Sequence, residues 1–227
     1  MLAVVLACAT PAAAQFSGGL SIRSDDRFRG RSLSQGRPTM ALNLSYDHPT
    51  GLYLDVVVRG MLSRHSGPEL LSVEENIGFA KQIRPNLSID LGVTNSDYTR
   101  YYNGMRTAHY QEFYVVVITK EISAHLHYSP KYFGIDNYPT LYGGLDGAVP
   151  VTDKWRLTGH VGVLQQVGGR TLGTTGRTHF DYRMGGAVRC GPIDLLVEWT
   201  GGGPGRDYYA GKFHSKNALV VGANLTF

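Results

Sequence analysis

The chain has 227 residues, 42% of them hydrophobic and only 18% charged, with 29 glycines, 14 tyrosines and a formal net charge of +4. So few charges among so many aromatics exclude a disordered chain, and the glycine content argues against a helical bundle. Beyond residues 1–14 no stretch reaches the ~18 apolar residues of a membrane-spanning helix, which leaves an all-β protein, soluble or membrane-embedded.

Residues 1–14 open the chain with an apolar run from Leu2 to Ala7. Ala12-Ala13-Ala14 before Gln15 is a small-residue cleavage pattern, so the segment reads as a signal peptide truncated at its start. The remainder, residues 15–227, reads as a single exported domain. Cys8 would leave with the leader, and Cys190 alone makes neither an internal disulfide nor a cysteine-rich metal site. The arginines gather only in residues 23–37, without the clustered basic stripe and interleaved aromatics of a nucleic-acid interface. Nucleic acid is therefore not an expected partner.

Period-two alternation runs through this domain. It is clear in residues 40–46, 52–59, 87–94, 122–128, 155–163, 181–189, 193–199 and 219–227. Weaker versions lie near 16–24, 70–82, 109–119 and 138–149. In the first of these, Met40, Leu42, Leu44 and Tyr46 share one face while Ala41, Asn43 and Ser45 share the other. The pattern predicts about twelve strands, each near the ~9–11 residues of a tilted bilayer-spanning strand.

The connections alternate in length. Short turns are expected at residues 48–51, 83–86, 120, 150–153 and 190–192. Longer loops are expected between them, at 25–37, 63–69, 98–108, 131–137, 168–178 and 201–216. A soluble sandwich has no reason for this rhythm, whereas an outer-membrane barrel has short periplasmic turns and long external loops. The expected fold is a closed antiparallel transmembrane β-barrel with both termini on the short-turn side. Lipid supplies no hydrogen bonds to a sheet edge, so the sheet must close. Tyr46, Tyr128, Trp155, Tyr182, Trp199 and Phe227 fall near strand ends, where aromatic girdles sit. Glu75 conflicts with this, since Val73, Ile77 and Phe79 place it on the lipid face; a bulge or an interfacial depth would relieve it.

The segment from Ser24 to Pro38 resembles the N-terminal signature of the bacterial TorF family of porins. Ser24, Asp25, Phe28, Arg29, Gly30, Gly36 and Pro38 carry the resemblance, while Asp26 and Thr39 depart from it. The segment from Tyr128 to Gly134, and Glu112 between Tyr110 and Tyr114, resemble a central motif of the same family. The resemblance implies an outer-membrane barrel and a diffusion pore. The alternating C-terminal strand closed by Phe227 resembles the signal read by the barrel-insertion machinery of bacterial outer membranes.

The chemistry-bearing motifs are weak. Gly201 to Arg206 lacks the Lys-Ser/Thr ending of a phosphate loop and reads as an external loop. His125, His127 and His160 could ligate a metal, but no cysteine or carboxylate sits at ligand spacing beside them, so neutral imidazoles in a wet lumen are expected. Ser123, His125 and Asp146 suggest a hydrolase only loosely, because there is no Gly-x-Ser-x-Gly elbow. No cofactor, metal or catalytic residue is expected.

The polar strand faces would line the lumen. They contribute Asp55, Arg59, Glu74, Asp90, Glu112, His125, His127, Asp146, Arg156, His160, Asp181, Arg183, Arg189, Asp194 and Glu198, with charges of both signs. Such a wall either sorts solutes along a hydrated path or pairs across the barrel and plugs it. The expected function is passive diffusion of small solutes or ions across the outer membrane, with membrane lipid and the assembly machinery as partners. An enzyme acting on lipid or peptide, and a structural or adhesive barrel, are the alternatives.

Overall fold

The computed structural model of the protein describes residues 15–63, 67–101, 106–169 and 176–227. The expected signal peptide lies outside them. Alternating side chains drive the chain into sixteen strands: β1 (Gln15–Arg23), β2 (Arg27–Phe28), β3 (Arg31–Ser32), β4 (Thr39–Asp47), β5 (Leu52–Ser63), β6 (Gly67–Arg84), β7 (Leu87–Tyr101), β8 (Arg106–Ile118), β9 (Ile122–Ser129), β10 (Thr140–Pro150), β11 (Trp155–Gln166), β12 (Thr178–Cys190), β13 (Ile193–Gly203), β14 (Asp207–Tyr209), β15 (Lys212–His214) and β16 (Ala218–Thr226). Twelve form a closed antiparallel barrel, and the pairs β2–β3 and β14–β15 are ribbons within loops. Among the described residues no helix is long and apolar enough to cross a membrane.

The barrel closes where β1 meets β16, with Gly19 opposite Thr226. Gly18 and Phe227 extend the seam by exchanging both backbone hydrogen bonds, at 2.8 and 2.9 Å. A methyl group on Gly18 would meet the Phe227 ring at 2.6 Å, so glycine there is what lets the terminal aromatic lie flat across the seam. Both ends of the described chain lie on the side of the short turns.

The outer surface is apolar. Met40, Leu54, Leu126, Leu157, Val161, Met184, Leu195 and Val221 all point outward and are exposed. A closed sheet with such a surface satisfies every requirement of hydrocarbon: no free edge and no polar belt. Trp155, Trp199, Tyr128 and Phe227 are exposed on the same surface near strand ends.

Parts of two expected loops are instead strand. β6 is 18 residues long and β7 is 15, so residues 67–69 and 98–101 continue the sheet beyond the span that lipid requires. Polar residues there read as loop in sequence, but edge-to-edge pairing holds them in register. A bulge accompanies the extension, with Arg59 opposite Ser72 and Gly60 opposite Leu70, leaving Leu71 without a partner across the strands. The bulge does not turn Glu75 inward. Glu75 remains exposed and accepts a 3.0 Å hydrogen bond from Asn95 Nδ2. Its register row runs through Asn95 to Gln111, two residues beyond Phe113 and its partner Tyr128. Depth at the outer aromatic level therefore resolves the conflict, since carboxylates are tolerated at the interface.

Candidate functional site: the barrel lumen

The first long loop folds into the barrel mouth. Asp25 anchors it, accepting from Ser32 Oγ at 2.6 Å, Ser34 Oγ at 2.9 Å and Arg27 Nε at 2.5 Å. Ser24 ties the loop to the seam by exchanging hydrogen bonds with Val221. Gly36 N–H donates to Ser32, and the Pro38 carbonyl accepts from Leu62. Gly30 lies against the Gly201 carbonyl. These contacts deliver Phe28 and Arg29 into the lumen.

There Arg29 makes a two-pronged pair with Glu112, both N–O distances 2.8 Å. Its guanidinium lies 4.0 Å from the centroid of the Tyr142 ring and 4.6 Å from that of Phe28. Phe28 in turn packs against Tyr110 and Phe133. Phe133 and Tyr132 come from a short helical turn, Tyr132–Gly134, in the loop after β9. With Tyr98, Ala108, Tyr142 and Leu164 they form the buried apolar cluster of the protein. Two external loops thus meet inside the barrel as an aromatic plug, and the planar guanidinium is the group suited to sit between rings and a carboxylate.

Below the plug the wall is polar. Tyr53 donates to both Asp90 oxygens, at 2.8 and 2.9 Å, and contacts the Tyr114 hydroxyl. Asp55 is buried opposite Ser45. Higher up, in the register rows that run to Tyr98 and Tyr110 of the plug, Arg59 pairs with Glu74 at 3.2 Å. Glu198 is shared by Arg23 at 3.2 Å and Arg183 at 3.3 Å. At the short-turn mouth Asp194 holds Arg156 at 2.8 Å and Arg189 at 3.6 Å.

A third group spans β9 to β12. Asp146 lies 3.0 Å from His125 Nε2, 2.9 Å from His160 Nδ1 and 3.2 Å from Arg183. His160 Nε2 meets Asp181 at 2.9 Å, and His127 Nε2 lies 3.2 Å from His125 Nδ1. Sequence spacing predicts no carboxylate beside these histidines. The sheet supplies one, because antiparallel register sets Asp146 directly opposite His160. Ser123 sits opposite Asp146 on the other side, so register brings Ser123, His125 and Asp146 of the hydrolase alternative onto neighbouring strands, with His125 3.0 Å from Asp146.

All fifteen candidate residues, Asp55, Arg59, Glu74, Asp90, Glu112, His125, His127, Asp146, Arg156, His160, Asp181, Arg183, Arg189, Asp194 and Glu198, lie on barrel strands at positions that alternate with the outward apolar ones. The aromatic plug escapes sequence reasoning. Its signal was two aromatics in a loop flanked by Pro130 and Gly134, where solvent exposure would otherwise be expected. In the last external loop Lys216 is buried and donates to the Pro204 carbonyl at 2.7 Å. Burial, with Arg31 nearby, pushes its amine down to about 8.

A profile of the Gcw_chp family, described as a bacterial protein of unknown function, matches residues 8–227, and the chain belongs to that family. No curated protein sequence matches it. Among solved structures, the NanC porin superposes with a TM-score of 0.60 at 11% identity, covering 93% of this chain and 99% of that one. The KdgM porin superposes with a TM-score of 0.54 at 12% identity and the same coverage. A second KdgM structure, in complex with disordered oligogalacturonate, gives 0.52 at 10% identity, covering 95% of this chain and 99% of that one. The shared feature is the fold, a closed barrel of the outer-membrane porin kind.

Proposed function

We propose that this member of the Gcw_chp family is an outer-membrane porin, a passive route for small polar solutes or ions and not an enzyme. The carrying observation is the inversion of polarity: an apolar belt outside, and a wall of paired charges, hydroxyls and imidazoles inside. A soluble barrel would bury the first and expose the second. The likeness of residues 24–38 to the TorF family of porins, and of the fold to solved porins, supports the same reading. On this reading residues 1–14 direct export, Phe227 serves insertion by the assembly machinery, and membrane lipid covers the belt.

The aromatic plug favours a second reading, a barrel that is closed at rest. One experiment separates them: single-channel recording in planar bilayers of the wild type and of Arg29→Ala. Steps in the wild type support the open pore. Steps only in Arg29→Ala support the plugged one. Silence in both would sink the porin reading.

A further inference from the structure

We propose that His125, Asp146 and His160 form a binding site for one divalent transition-metal ion on the lumen wall. One donor atom from each lies within 4.8 Å of the other two. Two imidazoles and a carboxylate are a donor set for zinc or its first-row neighbours; calcium and magnesium prefer all-oxygen surroundings. Adjacent strands β9, β10 and β11 carry the three donors, and fully paired strands hold such positions more rigidly than loops do.

The surroundings are those that orient metal ligands. A ligating histidine normally uses its other ring nitrogen on a carboxylate, carbonyl or water, which fixes its tautomer. His160 presents Nδ1 to the cluster and uses Nε2 on Asp181. His125 presents Nε2 to the cluster and sets Nδ1 against His127. Although His125 Nε2 is buried and 3.0 Å from Asp146 Oδ2, it has no well-directed hydrogen bond, so it is aimed at the cluster without being satisfied there.

Gly144 makes the space. It lies opposite His125 in register, and a methyl group on it would fall 2.5 Å from His125 Nε2 and 3.3 Å from His160 Cε1. A side chain there would push the His125 ring out of its present position beside His160.

The charged groups facing the site are Asp146, Asp181, Arg183 and, through Arg183, Glu198. Arg183 touches Asp146 through Nη2 and Glu198 through Nε. A cation in the site would take the place of the His125 and His160 contacts to Asp146, while Arg183 retains Glu198. The site does not depend on whether the barrel conducts.

The test uses refolded barrel purified without a polyhistidine tag. Zinc is titrated by calorimetry, and cobalt(II) is followed by its visible absorption. One ion per barrel is expected, with cobalt bands showing nitrogen ligation and no competition from excess magnesium. His125→Gln, His160→Gln and Asp146→Asn should each weaken binding by about tenfold or more. Gly144→Ala should weaken it too while keeping every donor, which separates loss of the site from loss of a ligand that also supports the fold. His48→Gln, in an exposed turn, should change nothing. Circular dichroism checks each variant, and Gly144→Ala decides where a ligand variant fails to refold. Absence of saturable zinc binding in the wild type would overturn the proposal, as would wild-type affinity in Gly144→Ala together with both histidine variants.

Discussion

The upper and middle lumen are built from the same strands yet solve burial in opposite ways. At the outer mouth, Phe28, Tyr110, Tyr132 and Phe133 pack as a small hydrophobic core around the buried Arg29–Glu112 ion pair. Farther in, Asp146, Asp181, Glu198 and their arginine and histidine partners form a polar network. The apolar part joins Phe28, Tyr132 and Phe133 from inward-folding loops to strand aromatics such as Tyr98 and Tyr110, and the polar part comes from strand alternation alone. A loop can carry a core inside a barrel because the wall around it already satisfies its own backbone.

The largest effect should come from breaking the pair at the centre of the plug. Arg29 and Glu112 side chains are only 7% and 5% exposed. Removing one partner strands a buried charge, so Arg29→Ala should cost about 3–5 kcal/mol of local stability, while replacing both by methionine should cost much less. Denaturant midpoints for the single and double variants would show it. Equal losses in both would mean that the rings, and not the charges, hold the plug.

A second break sets the outside of the wall against its inside. Met184 is 63% exposed on the lipid face. Met184→Arg should destabilise the folded barrel by about 2–4 kcal/mol if the position lies at mid-membrane. Its neighbour Arg183 faces inward between Asp146 and Glu198. Arg183→Gln should fold with little loss but leave two carboxylates short of a counter-charge, moving the reversal potential toward cation preference. The opposite pattern, a harmless Met184→Arg and an unfolded Arg183→Gln, would invert the faces.

This contrast also explains what the sequence makes legible. Alternation is a property of the extended backbone, so the twelve strands, their faces and the short turns could be read from Phe16 to Phe227. The inward list of charges followed directly. Contacts between strands were less legible, because register is a long-range property. Asp146 and His160 are 14 positions apart, and only pairing brings them together. The plug was least legible of all. A loop of arginines and serines with one Phe28 reads as exposed, and nothing local says that Phe133 from another loop will meet it. The long reach of β6 and β7 escaped for the same reason, since polar strand ends look like loop until a neighbour pairs with them.

The smallest predicted effect concerns the last external loop, which docks on the first one, with Arg27 donating to the Lys216 carbonyl and the Ser32 N–H to Asp207. Lys216 is buried there, near Arg31 and Asp207, with its amine lowered from 10.5 to about 8. A lowered lysine means that the docked loop disfavours the ammonium, whereas the undocked loop carries it freely up to about pH 10. The penalty is therefore present in full below pH 8 and fades as pH rises toward 10.5. Docking should tighten across that window, not loosen as it would for a lysine held by a salt bridge. Amide hydrogen exchange of residues 204–217, corrected for the intrinsic base-catalysed rate, should show protection rising between those limits. Lys216→Met, which has nothing to titrate, should give a flat profile. Protection that falls in the wild type would mean that Lys216 is held as a charged partner of Asp207, and the loop would then belong with the polar network and not with the plug.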